Sequence, residues 1–185
     1  MAQQLRVATI LWFALLFASL LYPGILVSLR STGLEPPPPD FALAPAFYAV
    51  ALVAAVMSFV LPRIKYAATL KPFASRVEAV AGGAAPWPGY RSKVEGERVL
   101  RLQAGDLRAL VGGFVTALIL ALAMSEAVSL LGFVLGFLGF PAPVWAPLSA
   151  AGPLLIALRF PSERAVLGPL ERAHGARAVL DEATG

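Results

Sequence analysis

The chain has 185 residues, of which 58% are hydrophobic and 14% charged, with a formal net charge of +4 and a mean hydropathy of +0.76. Ordinary soluble domains carry roughly 25% charged residues, so these figures exclude a soluble enzyme and make lipid the solvent of the long charge-free blocks. With no cysteine, no asparagine and a single histidine, His174, the chain has nothing from which to build disulfides, thiolate metal sites, bis-histidine haem ligation or N-glycans. No cofactor, no metal and no catalytic residue is expected, and His174 is read as solvated.

The first block runs without charge from Val7 to Leu29, and about 20 residues suffice to cross a hydrocarbon core as a helix. A secretory signal peptide is the rival reading, since Arg6 precedes the block, but its apolar region would be only about 7 to 15 residues long. Pro36, Pro37, Pro38 and Pro39 then enforce an extended external loop. The second block spans Phe41 to Leu61 and is expected to end at Pro62 and Arg63. The segment that follows breaks at Gly82 to Gly89; short amphipathic surface helices are expected over Tyr66 to Ala81 and Glu95 to Leu107.

The third block, Ala109 to Phe140, contains one charge, Glu126, and as a helix would measure ~48 Å. A tight turn through Pro141 and Pro143 makes an antiparallel hairpin with the last block, Val144 to Leu158, which contains Pro147 and Pro153 and closes at a snorkelling Arg159. The tail beyond Pro161 carries an apolar stripe that suits a surface-lying or partner-binding helix. Trp12, Trp87, Trp145, Tyr22, Tyr48 and Tyr66 are candidate interfacial anchors.

This predicts an all-α polytopic membrane protein with four transmembrane helices as two hairpins. Residues 1–61 form the first hairpin with its external proline-rich loop, 62–108 a cytoplasmic basic linker, 109–160 the second hairpin and 161–185 a cytoplasmic tail. Of the 15 basic residues, all but Arg30 fall on one side of this arrangement. The positive-inside rule therefore puts both termini in the cytoplasm of a cell with a bacterial-type inner membrane. The basic residues of the linker are interleaved with Glu78, Glu95, Glu97 and Asp106, which argues for an anionic leaflet and against nucleic acid as their partner.

On the third helix Gly113, Ala117, Ala121, Ser125 and Ser129 recur every four residues, and Gly132 and Gly136 extend the stripe. Small residues let helix backbones approach closely in lipid, so this is a contact face, either for helices of the same chain or for a second copy. Glu126 lies about 100° around from Ser125 and flanks the stripe. An ionisable group at that depth costs about 2.5 to 3.5 kcal/mol, so a neutral acid bonded to a hydroxyl or carbonyl is expected. Ser125, Ser129, Ser19, Tyr22, Ser58 and Ser149 are the candidate partners. No lysine or arginine lies inside a block, so a buried ion pair within the chain is not expected. Glu126, Ser125 and Ser129 form the candidate ion-binding group.

The run from Ala121 to Ala127 with Gly132 to Leu138 resembles the carboxylate helix of rotary ATPase proteolipid (c-type) subunits. In that family the matching glutamate binds the transported proton or sodium ion and copies assemble into a ring, which would give Glu126 that role. The chain differs in lacking a glycine-repeat helix before the carboxylate helix and in placing Glu126 on the first helix of its hairpin. Two functions are thus expected: a non-enzymatic subunit or accessory protein of a larger membrane assembly, or a proton or cation carrier using Glu126. The partners are the lipid bilayer and either other membrane proteins or further copies of the chain.

Overall fold

The computed structural model describes residues 2–33, 38–79 and 98–180. Helix α1 covers Ala2–Ser31, α2 Ala44–Leu70 behind a 3-10 turn at Phe41–Leu43, and α3 Ala104–Phe137. All three are long and apolar enough to cross a membrane. Helix α4, Ala142–Ala157, has 16 residues, about 24 Å in length against ~30 Å of hydrocarbon. The architecture is all-α with three long apolar helices, and the fourth expected span is instead a short apolar helix packed on α3.

α1 runs beside α3 in the same direction, with Trp12 in the cluster of Leu118 and Leu122 and Leu26 against Gly136. α2 and α4 run opposite to α3. Thr69 of α2 meets Gly113 near the start of α3, while Trp145 and Ser149 of α4 meet Gly132 near its end. Local chemistry sets the ends of these elements. Gln103 and Asp106 form a reciprocal capping box at the start of α3. Gly139, at φ +89°, turns the chain from α3 into α4.

The stretch after Leu61 departs from expectation. α2 does not stop at Pro62 but runs through it to Leu70. A proline removes one backbone bond and crowds the carbonyl four residues back, a loss that packing on neighbouring elements offsets. Here Tyr66 and Leu70 are buried beyond the proline. The expected surface helix at Tyr66 to Ala81 is thus the end of α2, then a 3-10 segment Lys71–Arg76 and strand β1, Val77–Ala79. Val80 and Ala81 lie outside the described residues.

The segment expected as a helix at Glu95 to Leu107 holds strand β2, Arg98–Leu102, and the start of α3. Its sequence alternates: Leu100 and Leu102 are buried and Arg101 is exposed between them, the period of a strand. Residues 95–97, the glycine-rich break at 82–89, and Pro36 and Pro37 of the proline loop lie outside the described residues.

The tail is not a surface element either. Helix α5, Glu163–His174, is capped by Ser162, whose Oγ accepts from the Ala165 N–H, and by Gly175 in the left-handed region. Its Val166 and Leu170 are fully buried against Tyr66, Leu70, Leu107 and Leu110. His174 is half-buried, its Nε2 3.2 Å from the Leu70 carbonyl oxygen. Strand β3, Arg177–Leu180, completes a sheet of order β1-β2-β3, antiparallel between β1 and β2 and parallel between β2 and β3. The described parts of the 62–108 stretch and of the tail therefore share one hydrophobic core at the sheet end of the bundle.

The α3–α4 seam depends on glycine. A Cβ on Gly152 would stand 1.9 Å from Ser129 Oγ and 2.8 Å from the Ser125 carbonyl oxygen, whereas one on Gly112 meets nothing within 4 Å. Gly152→Ala should lower the unfolding temperature of the purified protein by separating α4 from α3. Gly112→Ala should leave it unchanged or raise it, helix glycine being costlier than alanine by roughly 0.5 to 1 kcal/mol. Equal melting of the two variants in a thermal unfolding assay would disprove the seam.

Candidate functional site

Apart from the aromatic Trp12, Tyr66 and Trp145, the buried side chains with a polar group among the described residues are serines: Ser19, Ser58, Ser125, Ser129 and Ser149. Three stand four residues before a proline inside a helix: Ser19 before Pro23 in α1, Ser58 before Pro62 in α2, and Ser149 before Pro153 in α4. Each proline lacks the N–H that would bond that serine's own carbonyl. The helix thus releases an acceptor where a hydroxyl is also buried. The released Ser149 carbonyl accepts from Ser129 Oγ at 3.4 Å.

The hydroxyl protons are largely committed to the local helices. Ser19 donates to the Leu16 carbonyl at 2.9 Å, Ser58 to Ala55 at 2.6 Å and Ser125 to Ala121 at 2.7 Å. A serine that has spent its proton offers only lone pairs, so the layer needs a donor. Arg159, just past the end of α4, supplies it. Its Nη2 donates to Ser58 Oγ at 2.8 Å and its Nη1 to Ser125 Oγ and, at 3.1 Å, to the Leu155 carbonyl. Its guanidinium carbon lies 4.3 Å from the Phe59 ring centroid, a cation–π distance. The negative end of the α4 dipole also favours a cation there.

Glu126 follows Ser125 and faces another neighbour. Tyr22 Oη donates to its Oε1 at 2.8 Å, and the Tyr22 ring lies 5.5 Å from that of Phe133. Consecutive residues of α3 therefore join it to the three other apolar helices: Ser125 through Arg159 to α2 and α4, Glu126 through Tyr22 to α1. Of the hydroxyls expected near Glu126, Tyr22 is the one bonded to it. Ser125 instead holds Arg159, and Ser129 holds the Ser149 carbonyl. The three candidate ion-binding residues thus engage three different partners and do not converge on one point. Among the described residues no group of three or more His, Asp or Glu side chains could hold a metal.

The small-residue stripe meets different partners along α3. Gly113 abuts Thr69 of α2, Ala117 and Ala121 are buried, Gly132 abuts the Ser149 amide and the Trp145 carbonyl, and Gly136 abuts Leu26 and Trp145. The expected aromatic anchors also act between helices. Trp12 Nε1 donates to the Ile156 carbonyl, Tyr48 to Val144 and Tyr66 to Val166, at 2.6 to 2.7 Å. Trp145 is buried, and Trp87 lies outside the described residues. Arg30, the lone basic residue of the loop side, donates to the Gly136 and Phe140 carbonyls at 3.2 and 2.7 Å. It thereby caps the end of α3.

Sequence reasoning missed Arg159, which it placed outside the last block. The signal was the recurrence of serine four residues before proline, together with an arginine ending a helix too short to reach water. Beside Arg159 lies a cavity of about 250 Å³ between α2, α3 and the α4–α5 link, lined also by Arg63. No protein-family model matches the chain, and no curated protein or solved structure matches it.

Lysine keeps the charge of Arg159 but lacks the planar fork that reaches two serines at once. Arg159→Lys should therefore cost about 1.5 to 3 kcal/mol of stability, the worth of a hydrogen bond to a charged group. Arg63→Lys, on an exposed residue, should melt with the parent in detergent. A parent-like melting curve for Arg159→Lys would remove Arg159 from the centre of the site.

Proposed function

We propose that the protein is a non-enzymatic subunit or accessory component of a larger membrane assembly, in which the intramembrane polar groups act as ties between helices. The observation that carries this reading is that the polar groups of α3 are already engaged within the chain: Glu126 by Tyr22, Ser125 by Arg159, Ser129 by the Ser149 carbonyl. A second reading makes Glu126 a proton or cation carrier, as the proteolipid resemblance implies. In its favour, the carboxylate is only half-buried and its partner is a hydroxyl that can exchange its proton.

The reading includes an inner membrane of bacterial type with the sheet end in the cytoplasm, where Arg6, Arg63, Lys65 and Lys71 would meet the anionic leaflet. The absence of cysteine gives a direct check. Thr32→Cys, in the exposed turn after α1, should react with an impermeant maleimide added to intact cells. Ser75→Cys should react only after the membrane is opened. The reverse pattern would invert the orientation.

Glu126→Gln separates the two functions. As a tie, glutamine still offers a carbonyl oxygen to Tyr22, so stability stays near the parent, while Glu126→Ala loses about 0.6 to 1.7 kcal/mol, the range for interhelical hydrogen bonds in a membrane. Reconstituted vesicles should then show no proton flux above protein-free vesicles. A voltage-driven flux that Glu126→Gln abolishes, with carbodiimide labelling of Glu126, would replace the structural reading with the carrier.

A further inference from the structure

The cavity beside Arg159 has a composition that the helix ties do not account for. Its walls are apolar, with Phe59, Pro62, Phe114, Leu118 and Leu158 prominent, and its charged lining residues are Arg63 and Arg159. Among the described residues no acidic side chain lines it. Both arginines line one cavity, and low-dielectric surroundings make an anion between two such cations favourable. Arginine has five N–H donors, of which the two serines and the Leu155 carbonyl take three from Arg159.

The height of the cavity matters as much as its charge. Arg63 comes directly after the uncharged part of α2, where a chain threaded through lipid would meet the headgroups. Leu158 and Phe160 lie largely exposed at the mouth, 75% and 52%, and present an apolar surface to whatever lies alongside. Two arginines lining one cavity beside an apolar wall match an amphiphile with a phosphate head and acyl tails.

We propose that this cavity binds the phosphodiester of an anionic phospholipid from the leaflet at the sheet end, with Arg63 and Arg159 as the phosphate ligands and the acyl chains along Leu158 and Phe160. The phosphate bridges the two arginines, and binding fixes the α4–α5 link against α2. Arg159 is shared with the helix ties, so the test rests on Arg63, which is exposed and can be changed without cutting them.

The full chain in neutral detergent is titrated with dioleoyl phosphatidylglycerol or dioleoyl phosphatidylcholine and examined by native mass spectrometry. The anionic lipid should bind at one per chain, at least about fivefold tighter than the zwitterionic one, as one arginine near an anionic headgroup implies. Arg63→Gln should erase that preference, while Lys65→Gln, next to the site but outside its lining, should keep it. Equal binding of the two lipids, or equal loss in both variants, would overturn the proposal. Displacement of the bound lipid by millimolar inorganic phosphate would overturn it in favour of a soluble anion.

Discussion

A polar group in hydrocarbon must find its partner inside the protein, because lipid offers none and each unmet donor or acceptor costs kilocalories. This chain meets part of that demand with one cation, while Trp145 Nε1 and Ser149 Oγ are buried without a partner. Serines on α2 and α3 turn their protons back onto their own helices and are left as acceptors. Only a multiple donor with fixed geometry satisfies two of them from different helices at once, and arginine is the side chain built that way. Arg159 therefore links α2 and α3 to the end of α4.

The short length of α4 follows from the same requirement. A helix that crossed the whole bilayer would deliver its terminal arginine to water. Ending at Ala157, α4 delivers it to the level of Ser58 and Ser125 instead. The prolines contribute by loosening the helices at the matching height. Pro62 releases the Ser58 carbonyl and Pro153 that of Ser149, and the second of these is taken up by Ser129. Glycines at Gly132 and Gly152 let α3 and α4 approach closely enough for these short side chains to reach. Polar layer, proline positions and glycine seam are one solution, and each part loses its purpose without the others.

What the sequence disclosed was whatever depends on local composition. The first two blocks are charge-free and the third holds a single acid over lengths that lipid dictates, so α1, α2 and α3 were visible, as was Glu126. Tyr22 was visible only as one of six hydroxyls, because which of them meets Glu126 depends on how α1 is rotated against α3, a tertiary matter. Pro62 misled because its effect as a helix breaker is local, whereas the packing of Tyr66 and Leu70 that carries α2 past it is not. The sheet was hidden for a similar reason. β2 and β3 are short, lie far apart in the chain and pair in parallel, so neither shows a hairpin signature.

The sheet end bears on the polar layer from the opposite side. Arg159 is followed within a few residues by α5, and α5 is held by the Tyr66 hydroxyl on the Val166 carbonyl and by Val166 and Leu170 in the core shared with α2 and α3. β3 then fastens the residues after α5 to β2, which leads directly into α3. The link that carries Arg159 is thus anchored by α4 on one side and by a packed helix and sheet on the other. A guanidinium on a free tail would lose much side-chain entropy on docking; one on a link fixed at both ends loses less. The structured tail is what makes a single arginine a sufficient tie.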